Sequence, residues 1–532
     1  MQYNHFGVML DCSRNGVMKP EQIKNFIDIL VKIGYNCVGL YMEDVYEIDG
    51  EPLFGYLRGR YTKEELRDLD EYAKGKGVEL IPYVQTLAHL NGLAKNWQKS
   101  YLFDNGDILL CDDERTYEFI DKMFAALSQS FSSRAINIGM DEAFMLGRGK
   151  YLDKHGFVPR FDILTKHLSR VNEIAQKYGF QPQIWSDMLF RIMNGGGYYG
   201  KGLHIPKEVY EKIPENVELA YWDYYTKDLP TYDDMFAAHF ETGRKVWFAG
   251  GAWCWRGFAP FNQYTLSSMK PAMQSVIKYN VQDVMITLWG DNGKECSFFS
   301  VLPALYTVRQ YADGNFNEQH IKDGFKEIFG IDYDDFCALD LPNLAPKFNF
   351  NDYPKNPCKC LTYQDPFQGL HDKDVELEGH IPYEKYAQKL VQVAPRLGEF
   401  GYLAENMADL CYFLAIKAEI GNRTRNAYRS DERGALVQIV KDYSLMIARL
   451  QRFYKSFYAL WHKENKDFGW EVQDIRLGGL ERRLKTCKRV LEEYLKGERD
   501  RIEELEEDIL SLGRDVTLFD NNYAPIVTRG TL

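Results

Sequence analysis

The chain has 532 residues, a formal net charge of −12, and apolar and charged fractions of 45% and 27%. This length can supply two or three domains with large cores, and the composition is typical of a soluble globular protein. The acidic balance and the lack of a long basic run in the sequence argue against nucleic acid or an anionic membrane as the main partner.

The N-terminus and the cysteines indicate where the protein resides. No basic segment followed by an apolar one opens the sequence, so we expect no secretory signal, and no run reaches the length of a membrane-spanning helix. The ten cysteines are scattered singly apart from Cys358 and Cys360, as is typical of buried thiols in a reducing compartment. This pair lacks further cysteines or histidines at zinc spacing. We therefore predict a cytoplasmic protein without a metal site.

From residue 6 to about 314 the sequence alternates strand-like apolar runs with amphipathic helical segments. The predicted strands are 6–12, 36–44, 78–86, 135–142, 182–188, 217–225, 245–253 and 283–291. Helical segments follow them, for example 20–34, 63–77, 114–131, 161–179 and 269–279. Such regular alternation over about 300 residues favours a closed (β/α)₈ TIM barrel over an open sheet.

The sequence changes character after residue 335. Residues 336–380 are rich in Pro, Asn, Asp and Lys and have little periodicity, which predicts an irregular linker or a wrap over the barrel. Residues 381–532 are predicted to form an α-helical C-terminal domain. Its long helices are expected at 383–417, 432–462 and 480–512. Residues 1–335 would then be the barrel domain.

The predicted strand 135–142 ends in two adjacent acids, Asp141 and Glu142. Ionised acids are costly to place beside a core unless something uses them. Catalytic sites of α/β barrels lie at the carboxyl ends of the strands, where this pair falls. The alternative is that one of the two acids merely caps the next helix.

Polar and aromatic residues also end the other predicted strands. They are Asp11, Arg14, Glu43, Asp44, His89, Trp185, Asp187, Tyr221, Asp223, Tyr225, Trp253, Trp255, Trp289 and Asp291. Six of the nine tryptophans fall on or just beyond the last four strands. Any one of these residues could be structural, as a core indole, an Arg14–Asp11 pair or a satisfied histidine. Together they favour a sugar site, because aromatic faces stack on sugar rings while carboxylates and arginine bind hydroxyls.

The strand-end motifs resemble, in order, those of glycoside hydrolase family 20, the β-N-acetylhexosaminidases. They are LDCSR (10–14), YMED (41–44), QTLAH (85–89), NIGMDE (137–142), IWSDM (184–188), AYWD (220–223) and LWGD (288–291). The segments FGYLRGRYTKEEL (54–66) and GAWCWRGFAP (251–260) are similar to the short bacterial members with a helical C-terminal domain. Met140 stands where the family commonly has glycine, and Asp291 stands where it commonly has glutamate.

The resemblance implies an exo-acting, retaining β-N-acetylhexosaminidase that removes terminal N-acetylglucosamine or N-acetylgalactosamine from an oligosaccharide or glycoconjugate. It implies no metal or organic cofactor. Adjacent carboxylates are poorly placed to straddle a sugar, and the family instead uses the substrate's own 2-acetamido oxygen as the nucleophile. Glu142 would be the general acid and base, and Asp141 would orient the acetamido group. Tyr221, with Tyr225 as the fallback, would donate to the acetamido oxygen.

The remaining residues receive binding roles from the same resemblance. Arg14 would bind the O3 and O4 hydroxyls, and Asp223 and Asp291 would hold O4 and O6. Glu43 or Asp44, together with His89, would support Asp141. Trp185, Trp253 and Trp289 would wall the acetamido pocket and the sugar ring.

Two other functions stay open at this point. The chain could be a carbohydrate-binding barrel without catalysis, or a two-carboxylate glycosidase with Asp187 or Asp291 as nucleophile. The glycine-rich segment 468–479 is predicted to be non-helical. It would either pack on the barrel or reach a barrel mouth and shape the aglycone side. The long C-terminal helices would supply a homodimer interface, because their apolar stripes must be buried somewhere.

Overall fold

The computed structural model describes residues 2–344, 356–369, 372–373, 375 and 380–510. Outside the described residues lie four pieces of the predicted linker and the end of the predicted C-terminal domain. They are residues 345–355, 370–371, 374, 376–379 and 511–532.

Eight parallel strands close into a barrel, which confirms the predicted fold class. In chain order the strands are β1 (His5–Asp11), β2 (Cys37–Met42), β3 (Glu79–Val84), β4 (Phe103–Asn105), β5 (Ile108–Leu109), β6 (Ala135–Asn137), β7 (Gln181–Trp185), β8 (Glu218–Trp222), β9 (Val246–Gly251) and β10 (Asp283–Leu288). The barrel closes through parallel pairing of β1 with β10. The separate hairpin β4–β5 was not predicted, because runs of three and two residues are too short to give a periodic signal.

Helices surround the barrel. Up to the barrel's end they are α1 (Pro20–Lys32), α2 (Lys63–Gly75), α3 (Asn91–Ala94), α4 (Glu114–Ser130), α5 (Lys150–His155), α6 (Arg160–Lys177), α7 (Asp187–Met193), α8 (Lys207–Tyr210), α9 (Leu229–Phe240), α10 (Asn262–Lys278), α11 (Leu302–Ala312), α12 (Glu318–Phe329) and α13 (Tyr333–Cys337). Several starts follow from local sequence. Thr62 and Glu65 form a capping box on α2, and Asp113 caps α4.

The region after the barrel is largely helical where it is described. It contains α14 (Pro357–Tyr363), α15 (Tyr383–Val393), α16 (Gly401–Arg429), α17 (Arg433–Glu464), α18 (Trp470–Lys496) and α19 (Glu503–Glu506). Short 3₁₀ segments lie at Trp97–Leu102, Phe298–Val301, Ala338–Asn343 and Ala394–Phe400. None of the helices in the described part of the chain combines the length and apolar character that a membrane crossing requires.

The prediction that 468–479 is non-helical is wrong from Trp470 onward, where α18 begins. Gly478 and Gly479 lie within this helix, and a Cβ at either position would meet open space. From sequence alone, the three glycines of this segment favour a loop. Each glycine lowers the stability of a helix by about 1 kcal/mol, and the surrounding helix-forming residues outweigh that cost.

The C-terminal helices dock on the end of the barrel where the carboxyl ends of the strands lie. Between α17 and α18, Asn465 forms a β-bridge with Met18 in the loop after β1. The Lys466 amide donates to the Val17 carbonyl at 2.8 Å. Apolar packing continues across the junction, where Phe258 meets Phe453 edge-on with ring centroids 5.3 Å apart. The two parts therefore share one core, and the helical part lies beside the loop that carries Arg14.

Candidate active site

The loop after β6 presents the two adjacent acids at the barrel mouth. Strand β6 ends at Asn137, earlier than predicted, because Gly139, Met140 and Glu142 adopt left-handed backbone angles with φ of 75°, 73° and 52°. Such angles are costly for residues other than glycine, and they concentrate at functional sites. The turn places Asp141 and Glu142 side by side instead of on opposite faces of a strand.

Asp141 is buried and held by two neighbours. Gln85 donates from Nε2 to its Oδ1 at 2.8 Å, and Nε2 of His89 lies 3.2 Å from its Oδ2. Burial alone would raise the pKa of Asp141, but the charge and contact of His89 and the Gln85 hydrogen bond hold it below its usual value. The same ion pair raises the pKa of His89 to about 10 against the opposing effect of burial. Asp141 is therefore an ionised carboxylate beside a protonated imidazole.

Glu142 is the more open of the two acids, with 40% of its side-chain surface exposed. Burial of the carboxyl raises its pKa, the nearby charge of His89 lowers it, and that of Asp141 raises it again, for a net increase. Its backbone amide donates to Asp187 Oδ2 at 3.2 Å, and Arg191 Nε donates to the same oxygen at 3.1 Å. The pair thus combines an ionised acid with one that holds its proton to higher pH, an arrangement suited to divided roles.

Across the mouth, Arg14 lies between two carboxylates. Its guanidinium donates to Glu43 Oε1, which also accepts from the Tyr41 hydroxyl at 3.1 Å. Arg14 Nε lies 3.6 Å from Asp291 Oδ1. Glu43 is fully buried beneath it, whereas Arg14 and Asp291 face the cavity. This edge of the site therefore presents one cation and one anion, which can both hydrogen-bond to sugar hydroxyls.

Aromatic side chains wall the cavity between these two edges. The cavity is lined by Arg14, His89, Asp141, Glu142, Trp185, Trp222, Tyr224, Tyr225, Trp255, Arg256, Trp289 and Asp291. Trp185 and Trp289 lie with ring centroids 6.2 Å apart, and Tyr41 packs edge-on against Trp289 at 4.8 Å. The structure thus brings together eight of the predicted site residues: Arg14, His89, Asp141, Glu142, Trp185, Tyr225, Trp289 and Asp291.

Tyr221 and Asp223 do not line the cavity, contrary to the prediction. Tyr221 is fully buried on the helix side of β8, where its ring packs on Phe236 and His239 of α9 at 5.3 and 4.9 Å. Its hydroxyl donates to Asp223 Oδ2 at 2.8 Å. Asp223 Oδ1 in turn accepts the backbone N–H of Tyr225 at 3.0 Å. Both residues therefore shape the turn that presents Tyr225, and neither is placed to contact a sugar.

Three further predicted residues act from outside the cavity. Glu43 orients Arg14, and its negative charge, with that of Asp141, helps to raise the pKa of His89 against the effect of burial. Asp44, the predicted alternative, pairs with the buried Arg58 at 3.2 Å. Trp253 lies behind the cavity wall and stacks on Trp255 with centroids 3.7 Å apart. The residue that supports Asp141 together with His89 is Gln85.

The structure adds lining residues that were not predicted as ligands: Trp222, Tyr224, Trp255 and Arg256. The prediction that Tyr221 and Asp223 lie on the cavity side of β8 is wrong by one residue. A shift of one residue along a strand moves every side chain to the other face. Trp222 therefore faces the cavity in place of Tyr221 and stacks on Tyr224 at 5.3 Å. Arg256, with φ of 63°, donates its amide to the Asp291 carbonyl at 3.1 Å. The sequence carries no signal for this turn, because a left-handed φ is expected at glycine and is rare at arginine.

No cluster of three or more His, Cys, Asp or Glu residues suited to a metal ion occurs among residues 2–344, 356–369, 372–373, 375 and 380–510.

Individual relatives are remote. A β-hexosaminidase of Akkermansia muciniphila is 23% identical over 172 residues, covering 27% of this chain and 35% of its own length. Human hexosaminidase D is 21% identical over 223 residues, covering 40% of this chain and 43% of its own. This chain thus spans less than half the length of each of these curated relatives. A crystal structure of a family 20 exo-β-N-acetylglucosaminidase from Vibrio harveyi is 16% identical, covers 60% of this chain and 55% of that one, and has a TM-score of 0.45.

Two family models match the chain. Residues 3–229 match the catalytic domain of glycosyl hydrolase family 20, and residues 334–518 match the Glycoside Hydrolase 20C C-terminal domain. Together the two matches take in more than half of the sequence and both of its main parts. The chain therefore belongs to glycoside hydrolase family 20.

Proposed function

We propose that this protein is an exo-acting β-N-acetylhexosaminidase that removes a terminal, non-reducing N-acetylhexosamine with retention of configuration. The observation that carries the proposal is the adjacent pair of acids at the barrel mouth, whose pKa values are shifted in opposite directions. Asp141 is kept ionised by His89 and Gln85, while burial raises the pKa of Glu142. Family membership and the indole-walled cavity support the same reaction class.

In the proposed mechanism the acetamido carbonyl oxygen of the substrate attacks the anomeric carbon, and the bond to the leaving oxygen breaks. Glu142 gives its proton to that oxygen, then takes a proton from the water that opens the oxazolinium ring. Asp141 accepts the acetamido N–H and offsets the positive charge that develops on the ring. The general acid must be protonated and the orienting acid ionised in the first step, and the opposite directions of the two pKa shifts favour this division.

The other lining residues bind and orient the sugar in this proposal. Trp185 and Trp289 wall the acetamido group. Arg14 and Asp291 bind the hydroxyls on the far side of the ring. Tyr225, which lines the cavity and was the second choice from the sequence, donates to the acetamido oxygen in place of Tyr221.

Substrate assistance is tested by varying the N-acyl group on an aryl β-glucosaminide. Replacing acetyl by trifluoroacetyl weakens the nucleophilic oxygen, so the wild-type rate should fall steeply with each added fluorine. Asp141→Asn should lower kcat on the acetyl substrate by at least about 10²-fold, because the charge acts mainly in the transition state. Rates that do not respond to fluorination would favour a two-carboxylate glycosidase. A wild-type protein that binds the sugar but shows no turnover would favour a carbohydrate-binding barrel.

We also propose a cytoplasmic homodimer. All ten cysteines are free thiols and nine are buried, which fits a reducing compartment. Val437, Leu445 and Tyr458 on α17 and Ile475 on α18 are 45–48% exposed and give the long helices apolar surface for a partner copy. Sedimentation equilibrium of the wild type against Leu445→Glu tests the dimer, which the charged variant should dissociate.

A further inference from the structure

The sugar-binding edge of the cavity is built on two loops. Arg14 lies in the loop after β1, and Asp291 lies in the loop after β10. Their side chains approach to 3.6 Å between Arg14 Nε and Asp291 Oδ1. The position of each hydroxyl-binding group therefore depends on how its loop is held.

The backbone of the Asp291 loop needs external support. Asn292, Gly293 and Lys294 follow one another with φ of 64°, 119° and 55°. Three successive residues in the left-handed region are costly, and two of them carry side chains. Such a conformation persists only where its surroundings hold it.

The supporting contacts come from the chain beyond the barrel. Arg476 of α18 donates from Nη1 to the Asn292 carbonyl at 2.8 Å, and Lys359 of α14 donates from Nζ to the same oxygen at 2.8 Å. Gln473, also of α18, donates to the Gly293 carbonyl at 3.1 Å. The carbonyl directly after Asp291 is therefore fixed by two cations from outside the barrel.

A buried carboxylate locks these cations in place. Glu295 lies 2.5 Å from Lys359 Nζ through Oε2 and 2.8 Å from Arg476 Nη1 through Oε1. The three side chains are only 1%, 1% and 4% exposed. Burying three charges carries a large desolvation cost, and apolar packing could attach a domain without it. What the charges add is a fixed direction for the Asn292 carbonyl.

The turn that leads into α18 joins the second loop. Asn15, which follows Arg14, donates from Nδ2 to the Gly469 carbonyl at 2.9 Å and lies 3.4 Å from the Gly293 carbonyl. A Cβ at Gly469 would come within 2.6 Å of the Asn15 carbonyl oxygen, so the approach is close. One junction therefore fastens both loops.

We propose that Arg476 and Lys359 are positioning residues of the catalytic site, holding Asp291 against Arg14 so that the edge binds sugar hydroxyls. The inference rests on the proposed function and deepens it. It makes the helical region after the barrel a part of the substrate site, although none of the residues described there lines the cavity. Segment 468–479, the turn before α18 and the first turns of that helix, thus reaches the mouth loops of its own barrel and acts through the Asp291 loop.

The test is Arg476→Ala in the full chain. Arg483→Ala is the control, because Arg483 pairs with Asp365 and Glu504, both in the chain beyond the barrel, and neither ion pair involves the Asp291 loop. We expect Arg476→Ala to lower kcat/KM on an aryl N-acetylhexosaminide by about 10-fold or more, chiefly through KM, since small misplacements of binding groups cost that much. Arg483→Ala should stay within about twofold of the wild type. Arg476→Lys keeps a positive charge beside Glu295 and should therefore fold even if Arg476→Ala does not. Its kcat/KM should lie between those of the other two variants.

A double-mutant cycle with Asp291→Ala identifies the route. If Arg476 acts through Asp291, removing Arg476 should cost little more once Asp291 is gone. Calorimetric binding of N-acetylglucosamine to each variant gives a second readout that needs no turnover. An unchanged KM and affinity in Arg476→Ala, or an equal loss in the Asp291→Ala background, overturns the inference. A wild type that binds the sugar but cleaves no N-acetylhexosaminide counts against the proposed function alone. The double-mutant cycle measured by calorimetric sugar binding then tests the role of Arg476 without any turnover.

Discussion

A Cβ atom at Gly139 would lie 2.0 Å from Oε1 of Gln85, because the Gln85 carboxamide fills the space beside the loop after β6. That carboxamide also donates to Asp141 Oδ1 at 2.8 Å and lies 3.4 Å from the Met140 amide. One buried side chain therefore sets both the path of the loop and the orientation of the acid that would hold the acetamido group.

Gly139→Ala should lower kcat far more than Gly77→Ala does. The methyl group would displace Gln85 and free Asp141, and a shift of about 1 Å at such a group can cost about 10²-fold in kcat. Gly77→Ala is the matched control, because Gly77 has a similar φ of 72° but open space around the Cβ position. Both variants should lose about 1–2 kcal/mol of unfolding free energy from the left-handed angle, and Gly139→Ala should lose more because its methyl group also crowds Gln85 and the Val84 carbonyl. Equal kcat in the two variants, measured with an aryl N-acetylhexosaminide, would contradict this role of Gln85.

The barrel could be predicted because its signal is repeated. Eight apolar runs alternate with amphipathic helices, and each run carries its own evidence. The predicted strand 36–44 lies over β2, Cys37–Met42, and differs from it only at the ends. The paired acids could be predicted as well, since their cost beside a core is visible in the sequence.

The predictions that failed concern which side chains of a strand face the cavity and which distant residues come into contact. Tyr221 and Trp222 are neighbours on β8, and only packing against α9 decides which of them faces the cavity. Gln85 looks like an ordinary strand-end amide until the fold brings it to Asp141, 56 positions away. The contact of Arg476 with the Asp291 loop joins residues 184 positions apart, and no periodicity encodes such a distance.

The pH dependence of Glu142→Gln should reveal the general acid. Wild-type kcat/KM should decline as pH rises through the raised pKa of Glu142, because the deprotonated carboxylate cannot protonate the leaving oxygen. The glutamine variant should lack this limb and lose at least about 10²-fold on a disaccharide. An aryl glycoside with an acidic leaving group serves as the control, since it needs little proton transfer and should lose much less. A disaccharide turned over at the wild-type rate by Glu142→Gln removes the residue from this role.

His89 should make stability depend on pH. Its pKa is raised to about 10 in the folded protein by Asp141, above the value of about 6.5 expected in the unfolded chain. The stabilisation from its protonated form is therefore complete below about pH 6.5 and declines as pH rises towards 10. The difference in unfolding free energy between the wild type and His89→Gln should narrow over that interval. A difference that stays constant from pH 6 to pH 10 would mean that the imidazole is not charged in the fold.

The choice between Tyr221 and Tyr225 can be settled by removing one hydroxyl at a time. Tyr225 lines the cavity, so Tyr225→Phe should lower kcat by about 10-fold or more, as expected when a donor to a developing charge is lost. Tyr221→Phe removes only the 2.8 Å hydrogen bond to Asp223 behind the strand. It should therefore cost about 1 kcal/mol of stability or slightly more and leave KM nearly unchanged. Initial rates and thermal denaturation of both variants provide the comparison. If Tyr221→Phe alone abolished turnover, the side chain would have to leave its packing against α9 when substrate binds.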